Sequence, residues 1–145
     1  MRDLPRQLNV EELDALFEGH SQLTEELARR EDPLGQARAV LEELPEEARV
    51  EALNTHPRIG ERGGSARSAE EQGSDEDPAL LAALRHLNKS YEEKFGFRFV
   101  VFVNGRPRGE ILSVMRERFQ HAREEELGTG LDELVAIALD RWQSR

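Results

Sequence analysis

Residues 77–96 read DPALLAALRHLNKSYEEKFG. Leu80, Leu81, Leu84, Leu87, Tyr91 and Phe95 recur three and four residues apart, the spacing of one face of an α-helix. Asp77 supplies a side-chain acceptor for the first turn. Pro78 suits the first helical position, where no backbone N–H is needed. Gly96 suits the stop, because helices commonly close on a left-handed residue. A helix with one apolar stripe must bury that stripe against other elements.

The flanking sequence supplies more helices of this kind. Asn9 with Glu12 is a capping pair ahead of Leu13, Leu16 and Phe17, and Gly19 is the expected stop. Ser21 caps a second helix carrying Leu23 and Leu27. Asp32-Pro33 starts a third, with Leu34, Ala37, Val40, Leu41 and Leu44 on its inner face. Pro45 restarts the chain, and Ala48, Ala52 and Leu53 lead into Thr55. Beyond residue 96, Pro107 precedes a helix with Ile111, Leu112, Met115 and Phe119. The last helix carries Leu131, Leu134, Val135, Ala138, Leu139 and Trp142. Gly128 and Gly130 lie just before this stripe, and glycine costs about 1 kcal/mol in a helix interior. Thr129 is therefore a candidate cap for a separate final helix.

Two segments break the pattern. From His56 to Asp77 the chain holds Pro57, Gly60, Gly63, Gly64 and Gly73 with few apolar residues. It reads as one long loop with a short helical turn near Ser68 to Gln72. Long loops in compact domains are usually functional or disordered. The run FRFVVFV, residues 97–103, is strand-like but has no partner. It reads as extended backbone packed between helices. The fold class is all-α: a single-domain helical bundle over residues 1–145, with one long loop and a short extended segment.

Composition narrows function. The net charge is −10, which argues against nucleic acid as a partner, because phosphate neutralisation needs a basic face. With no cysteine, thiolate nucleophiles and Cys-based metal sites are excluded. His20, His56, His86 and His121 show no metal-ligand spacing, so no metal site is expected. No apolar run approaches a membrane span, and the first residues lack a secretory core, so a cytoplasmic protein is expected.

Five pieces, in order, carry a resemblance. The first is LNTHPRIGER, with His56 and Pro57. The second is Ser68, Glu71 and Gln72 in a Ser-x-x-Glu-Gln pattern. The third is NKSYEEKFGFRF, residues 88–99. The fourth is Gly105-Arg106 followed by Glu110-Ile111-Leu112, and the last is Arg141-Trp142. Together they resemble the 2-oxo-4-hydroxy-4-carboxy-5-ureidoimidazoline (OHCU) decarboxylase family. The likeness covers nearly the whole chain, although the family's last helix usually lacks the double glycine.

The resemblance implies cofactor-free decarboxylation of OHCU to (S)-allantoin in urate degradation. Such a substrate carries its carboxylate on a carbon that also bears a hydroxyl and adjoins an imine. The C=N group accepts the electrons left by carbon dioxide, so no cofactor is needed. The family likeness also suggests a homodimer. It implies catalytic roles for His56 and Glu71. It places Pro57, Ser68, Gln72, Phe99, Val100, Val101, Phe102, Val103 and Arg141 at the substrate.

Each residue also has a plainer reading. Imidazole titrates near neutrality, which suits acid–base work, but His56 could simply end a helix. Ser68 and Glu71 match a capping box, which starts helices everywhere. Arg141 in a final turn is favoured by the helix dipole, yet a guanidinium also grips a carboxylate through its planar fork. His20, His86 and His121 read as solvated or packing residues. Two other functions compete: a non-catalytic helical interaction module, which expects no pocket at His56, and metal-dependent hydrolysis, for which convergent ligands are absent from the pattern.

Overall fold

The computed structural model describes residues 2–60 and 77–144. Among them are seven helices and no strand: α1 (Val10–Leu16), α2 (Gln22–Leu27), α3 (Pro33–Glu43), α4 (Glu46–Asn54), α5 (Pro78–Phe95), α6 (Arg108–Arg118) and α7 (Arg123–Gln143). The all-α class follows. The turn expected at residues 68–72 lies outside the described residues.

Local chemistry explains most boundaries. The Asn9 side chain accepts from the Glu12 N–H at 2.8 Å, and the Glu12 carboxylate accepts from the Asn9 N–H at 3.1 Å. Ser21 and Thr24 make the same reciprocal pair at the start of α2. Asp32 and Asp77 accept from the N–H groups of Gly35 and Ala79. Gly96 closes α5 with a φ of 83°.

Two boundaries differ from the sequence reading. The left-handed residue after α1 is Glu18, with a φ of 66°, rather than Gly19. Gly19 serves close approach instead, because a Cβ there would sit 3.3 Å from Cβ of Thr55. The final helix is also not split at Thr129, since α7 runs unbroken through both glycines. A Cβ on Gly130 would lie 3.2 Å from a Leu53 methyl, so this glycine lets α4 pack tightly on α7. Close packing against a neighbour outweighs local helix propensity.

Helix α7 is the spine: α1, α3 and α4 pack against it, and α2 packs against α1, α3 and α4. Leu13, Leu23, Leu27, Leu41, Leu53, Leu131 and Leu134 are fully or almost fully buried there. Each such side chain contributes roughly 1.5–3 kcal/mol relative to exposure. Helices α5 and α6 form a second pair. In α5 the stripe is buried at Leu84, Tyr91 and Phe95, while Leu80 and Leu87 are half-buried.

The extended segment 97–103 threads between these groups without a ladder. Phe97 and Phe99 pack edge-on to Tyr91 at centroid distances of 6.0 and 5.3 Å. Its carbonyls need partners once buried. Arg118 Nη1 donates to the Val100 carbonyl at 2.7 Å, and Arg106 donates to those of Phe102 and Val103 at 2.6 and 3.0 Å. Arg118 is itself buried and is neutralised by Glu126, 0% exposed, which also accepts from the Tyr91 hydroxyl at 2.5 Å. His121 Nδ1 lies 2.9 Å from the other Glu126 oxygen.

The two glycines of α7 make a comparative test. At Gly128 the nearest atom to an added Cβ is an Arg38 guanidinium nitrogen at 3.9 Å, an ordinary contact. Gly128→Ala should therefore raise stability by about 0.5–1 kcal/mol through helix propensity. Gly130→Ala should gain less or lose, because Leu53 must move. Urea midpoints of the two variants check this, and an equal gain at both positions would refute the close-packing role of Gly130.

Candidate active site

The site is built where three chain segments end or pass. Helix α4 stops at Asn54, and the chain turns through Thr55 to His56, whose N–H still donates to the Leu53 carbonyl at 3.2 Å. Proline at position 57 disfavours helical geometry at His56, so the helix cannot continue. Two side chains lock this turn to its surroundings. The Thr55 hydroxyl donates to the carbonyls of Ala52 and Phe17, joining the ends of α4 and α1. Arg98 donates to the carbonyls of Asn54 and His56, both at 2.9 Å, joining the turn to the extended segment. Just beyond, Arg58 pairs with Glu92 through two bonds of 2.6 and 2.9 Å, and Asn88 donates to the Ile59 carbonyl at 2.7 Å.

These ties shape a cavity that holds about 410 Å³ of empty space, open solvent at its mouth included. One wall is His56, Pro57 and Ile59, the second is Phe99 to Val103, and the third is Ile137 and Arg141 of α7. The lining is apolar with a few convergent polar groups, as in most small-molecule sites. All eight expected site residues that lie among the described residues meet here: His56, Pro57, the five from Phe99 to Val103, and Arg141. The expected positions Ser68, Glu71 and Gln72 lie outside the described residues.

His56 is only 5% exposed, and its Nε2 has no hydrogen-bond partner among the described residues. A buried polar atom without a partner is uncommon and costly, so it calls for an explanation such as a ligand. Burial, reinforced by the charge of Arg141 and partly offset by Glu18, pulls the imidazole down to about 4 from its ordinary 6.5. The ring is neutral at physiological pH and can accept a proton or a hydrogen bond.

Arg141 is 4% exposed. Its Nη1 lies 2.9 Å from the Glu18 carboxylate and donates at longer range to the carbonyls of Leu16 and Ala15, 3.3 and 3.4 Å. Arg141, in the last turn of α7, is thus a pocket-lining guanidinium held by the end of α1. The sequence reading missed Glu18 beside the site, and Ile59 and Ile137 in its walls.

An extended segment with no ladder leaves its backbone groups to find other partners. The carbonyls of Val100, Phe102 and Val103 are taken by arginines, and the Phe102 N–H faces Glu133 at a long 3.4 Å. The N–H groups of Val101 and Val103 and the carbonyls of Phe99 and Val101 have no partner among the described residues. The wall thus combines backbone donors and acceptors with a neutral imidazole and a guanidinium. Such a set can bind an anionic, oxygen-rich molecule and move one proton on it. Of the other histidines, His20 is exposed and bonded to Asp14 and Glu25, and His121 serves Glu126.

The family model for OHCU decarboxylase matches residues 2–143. The chain is 34% identical over 113 residues to a 2-oxo-4-hydroxy-4-carboxy-5-ureidoimidazoline decarboxylase of Halalkalicoccus jeotgali, covering 74% of this chain and 64% of that protein. It is 31% identical over 131 residues to the enzyme of the same name from Haloferax volcanii, covering 82% and 78% of the two chains. A solved structure of an OHCU decarboxylase in the presence of (S)-allantoin superposes with a TM-score of 0.76 at 23% identity, over 90% of this chain and 94% of that one, and shares the fold. With its family pattern matched from end to end and its pocket formed by the expected wall residues, the chain belongs to the OHCU decarboxylase family.

Proposed function

We propose that this chain, as one domain over residues 1–145, decarboxylates OHCU to (S)-allantoin in urate degradation and uses no cofactor. The observation that carries the reading is the pair of buried groups in one pocket: a neutral His56, whose Nε2 has no partner among the described residues, and a guanidinium from Arg141. The interaction-module alternative expects no pocket at His56, and a pocket is there. A cytoplasmic homodimer acting on a small molecule, with neither nucleic acid nor membrane as partner, completes the reading. No helix among the described residues is long and apolar enough to cross a membrane.

The chemistry asks little of the protein beyond position and proton control. The scissile carbon bears the carboxylate and a hydroxyl and adjoins a C=N group. When the C–C bond to the carboxylate breaks, carbon dioxide leaves and the electron pair moves into the C=N group. Protonation of the resulting enol-like species on one face sets the (S) configuration. In this reading the Arg141 guanidinium grips a carboxylate or ureido oxygen. The N–H groups of the Phe99–Val103 wall bind ring oxygens, and Pro57 shapes the mouth. Neutral His56 accepts a proton and returns it to one face. Glu71 orients His56, while Ser68 and Gln72 contact the substrate; the family resemblance supports these three roles.

OHCU decays on its own to racemic allantoin, so enantiomeric excess is the direct readout. Freshly generated substrate should give an excess of (S)-allantoin with this protein, and a racemic product at the uncatalysed rate would overturn the proposal. His56→Asn keeps a polar side chain that cannot titrate. It should lower turnover by roughly 10²–10⁴-fold, the usual worth of a general acid or base, while circular dichroism stays native.

The neutral imidazole also predicts a pH dependence of stability. The unfolded chain takes up its proton near 6.5, whereas the folded chain resists down to about 4. Unfolding is therefore favoured progressively as pH falls through that window, by on the order of 3 kcal/mol in all, and not at neutral pH. Urea unfolding from pH 7 to pH 4 should show this loss, and His56→Asn should flatten it. An unchanged slope in the variant would show that His56 is not the group responsible.

Arg141→Lys keeps a charge and loses the planar fork. The expected outcome is a raised KM with a smaller change in kcat. Steady-state kinetics with unchanged KM would remove Arg141 from substrate binding.

A further inference from the structure

Glu18 occupies a place that local preferences argue against three times over. Its φ of 66° is left-handed, a conformation that glycine takes freely and glutamate does not. It follows the C-terminal end of α1, where the helix dipole disfavours a carboxylate. Its side chain is only 9% exposed, although glutamate is seldom so buried unless paired. Gly19 stands next to it and could have taken the left-handed position. Local rules broken together in this way mark a site where function sets the residue.

The compensation is visible. The Glu18 carboxylate lies 2.9 Å from Nη1 of Arg141, whose own side chain is 5% exposed. The Leu16 and Ala15 carbonyls, from the last turn of α1, accept from the same nitrogen. The left-handed turn thus brings one carboxylate and two carbonyls around one edge of the guanidinium. Thr55 holds this turn to the His56 turn by donating to the Phe17 carbonyl at 3.0 Å. Position of α1, guanidinium and imidazole are mechanically one unit.

We propose that Glu18 is a positioning residue for the reaction: it fixes the Arg141 guanidinium in the pocket and neutralises its charge, so that the group binds substrate by its orientation rather than as a mobile cation. The proposal rests on the decarboxylase reading only for its kinetic part. An arginine already held in place loses less freedom when substrate binds, which strengthens binding without a new contact. Glu18 acts through Arg141 and touches no reacting atom.

Two variants test it. Glu18→Gln keeps the shape and an acceptor oxygen but removes the charge. Glu18→Gly removes the side chain and relaxes the left-handed backbone, which limits the cost to folding. In the wild type, nitrogen-resolved NMR should show separate, slowly averaging guanidinium N–H signals for Arg141, assigned by their loss in Arg141→Lys. Glu18→Gly should collapse them and raise KM for OHCU about tenfold or more, with kcat less affected; Glu18→Gln should fall between. The double variant Glu18→Gly/Arg141→Lys should be little worse than Arg141→Lys alone, because the two residues act as one unit. Locked signals and unchanged KM in folded Glu18→Gly would overturn the proposal, as would additive effects in the double variant or loss of fold in both Glu18 variants. A wild type that shows the locked guanidinium but no enantiomeric excess would sink the decarboxylase reading and leave the anchoring of Arg141 standing.

Discussion

A buried imidazole and a buried guanidinium line one pocket, and both cannot be charged there at low cost. Arginine does not deprotonate in proteins, so the histidine is the group that gives way. Burial and the Arg141 charge keep His56 neutral, down to about 4. The guanidinium in turn needs a counter-charge, because an unpaired buried cation costs several kcal/mol. Glu18 provides it at 2.9 Å. From this constraint the placement of the segments follows. Helix α1 must end where its last carbonyls and Glu18 reach α7, and α4 must end where His56 can face the same space.

The same solution recurs at the walls of the pocket. Arg98 donates to the carbonyls of Asn54, at the end of α4, and His56, while Arg106 and Arg118 donate to those of Phe102 and Val103 and of Val100 in the extended segment. An irregular segment inside a helical bundle has buried carbonyls with no ladder to satisfy them. The guanidinium has several donors in a rigid fork, so one arginine can hold two carbonyls at once. Arg118 is the most deeply placed of the three and needs Glu126 beside it, which the Tyr91 hydroxyl and His121 then complete. The extended segment keeps its shape through these anchors rather than through sheet pairing.

Local signals made most of the fold legible. Asn9 with Glu12, Asp32-Pro33, Asp77-Pro78 and Gly96 act within a few residues of themselves, and each boundary they announced is present. The stripe of α5 and the extended run at 97–103 were legible for the same reason. What failed was decided at a distance. Gly130 reads as a helix breaker until Leu53 is seen 3.2 Å from where its Cβ would be. Gly19 reads as the left-handed stop, yet its small size serves Thr55 while Glu18 takes the strained position. The His56-Pro57 signal was readable because proline acts on its neighbour. The pairing of Glu18 with Arg141 joins opposite ends of the chain, and nothing in either neighbourhood points to the other. Glu71, Ser68 and Gln72 rest on the motif alone.

An acidic protein that binds an anion must work against its own field. The net charge is −10, and the proposed substrate is a carboxylate. Two facts make the conflict small. Surface charges in water are screened over about 8 Å at physiological ionic strength, so most of the thirty carboxylates act weakly on a ligand inside the fold. A buried, hydrogen-bonded guanidinium is screened much less and is met at contact distance. Pairing with Glu18 lowers the long-range attraction of Arg141 without removing its directed donors. Recognition then depends on the fit of fixed N–H groups to fixed oxygens, and a simple anion that cannot match that pattern gains little from the site. Selectivity of this kind suits a pocket whose task is to hold one reactive, oxygen-rich molecule in one orientation while a single proton moves.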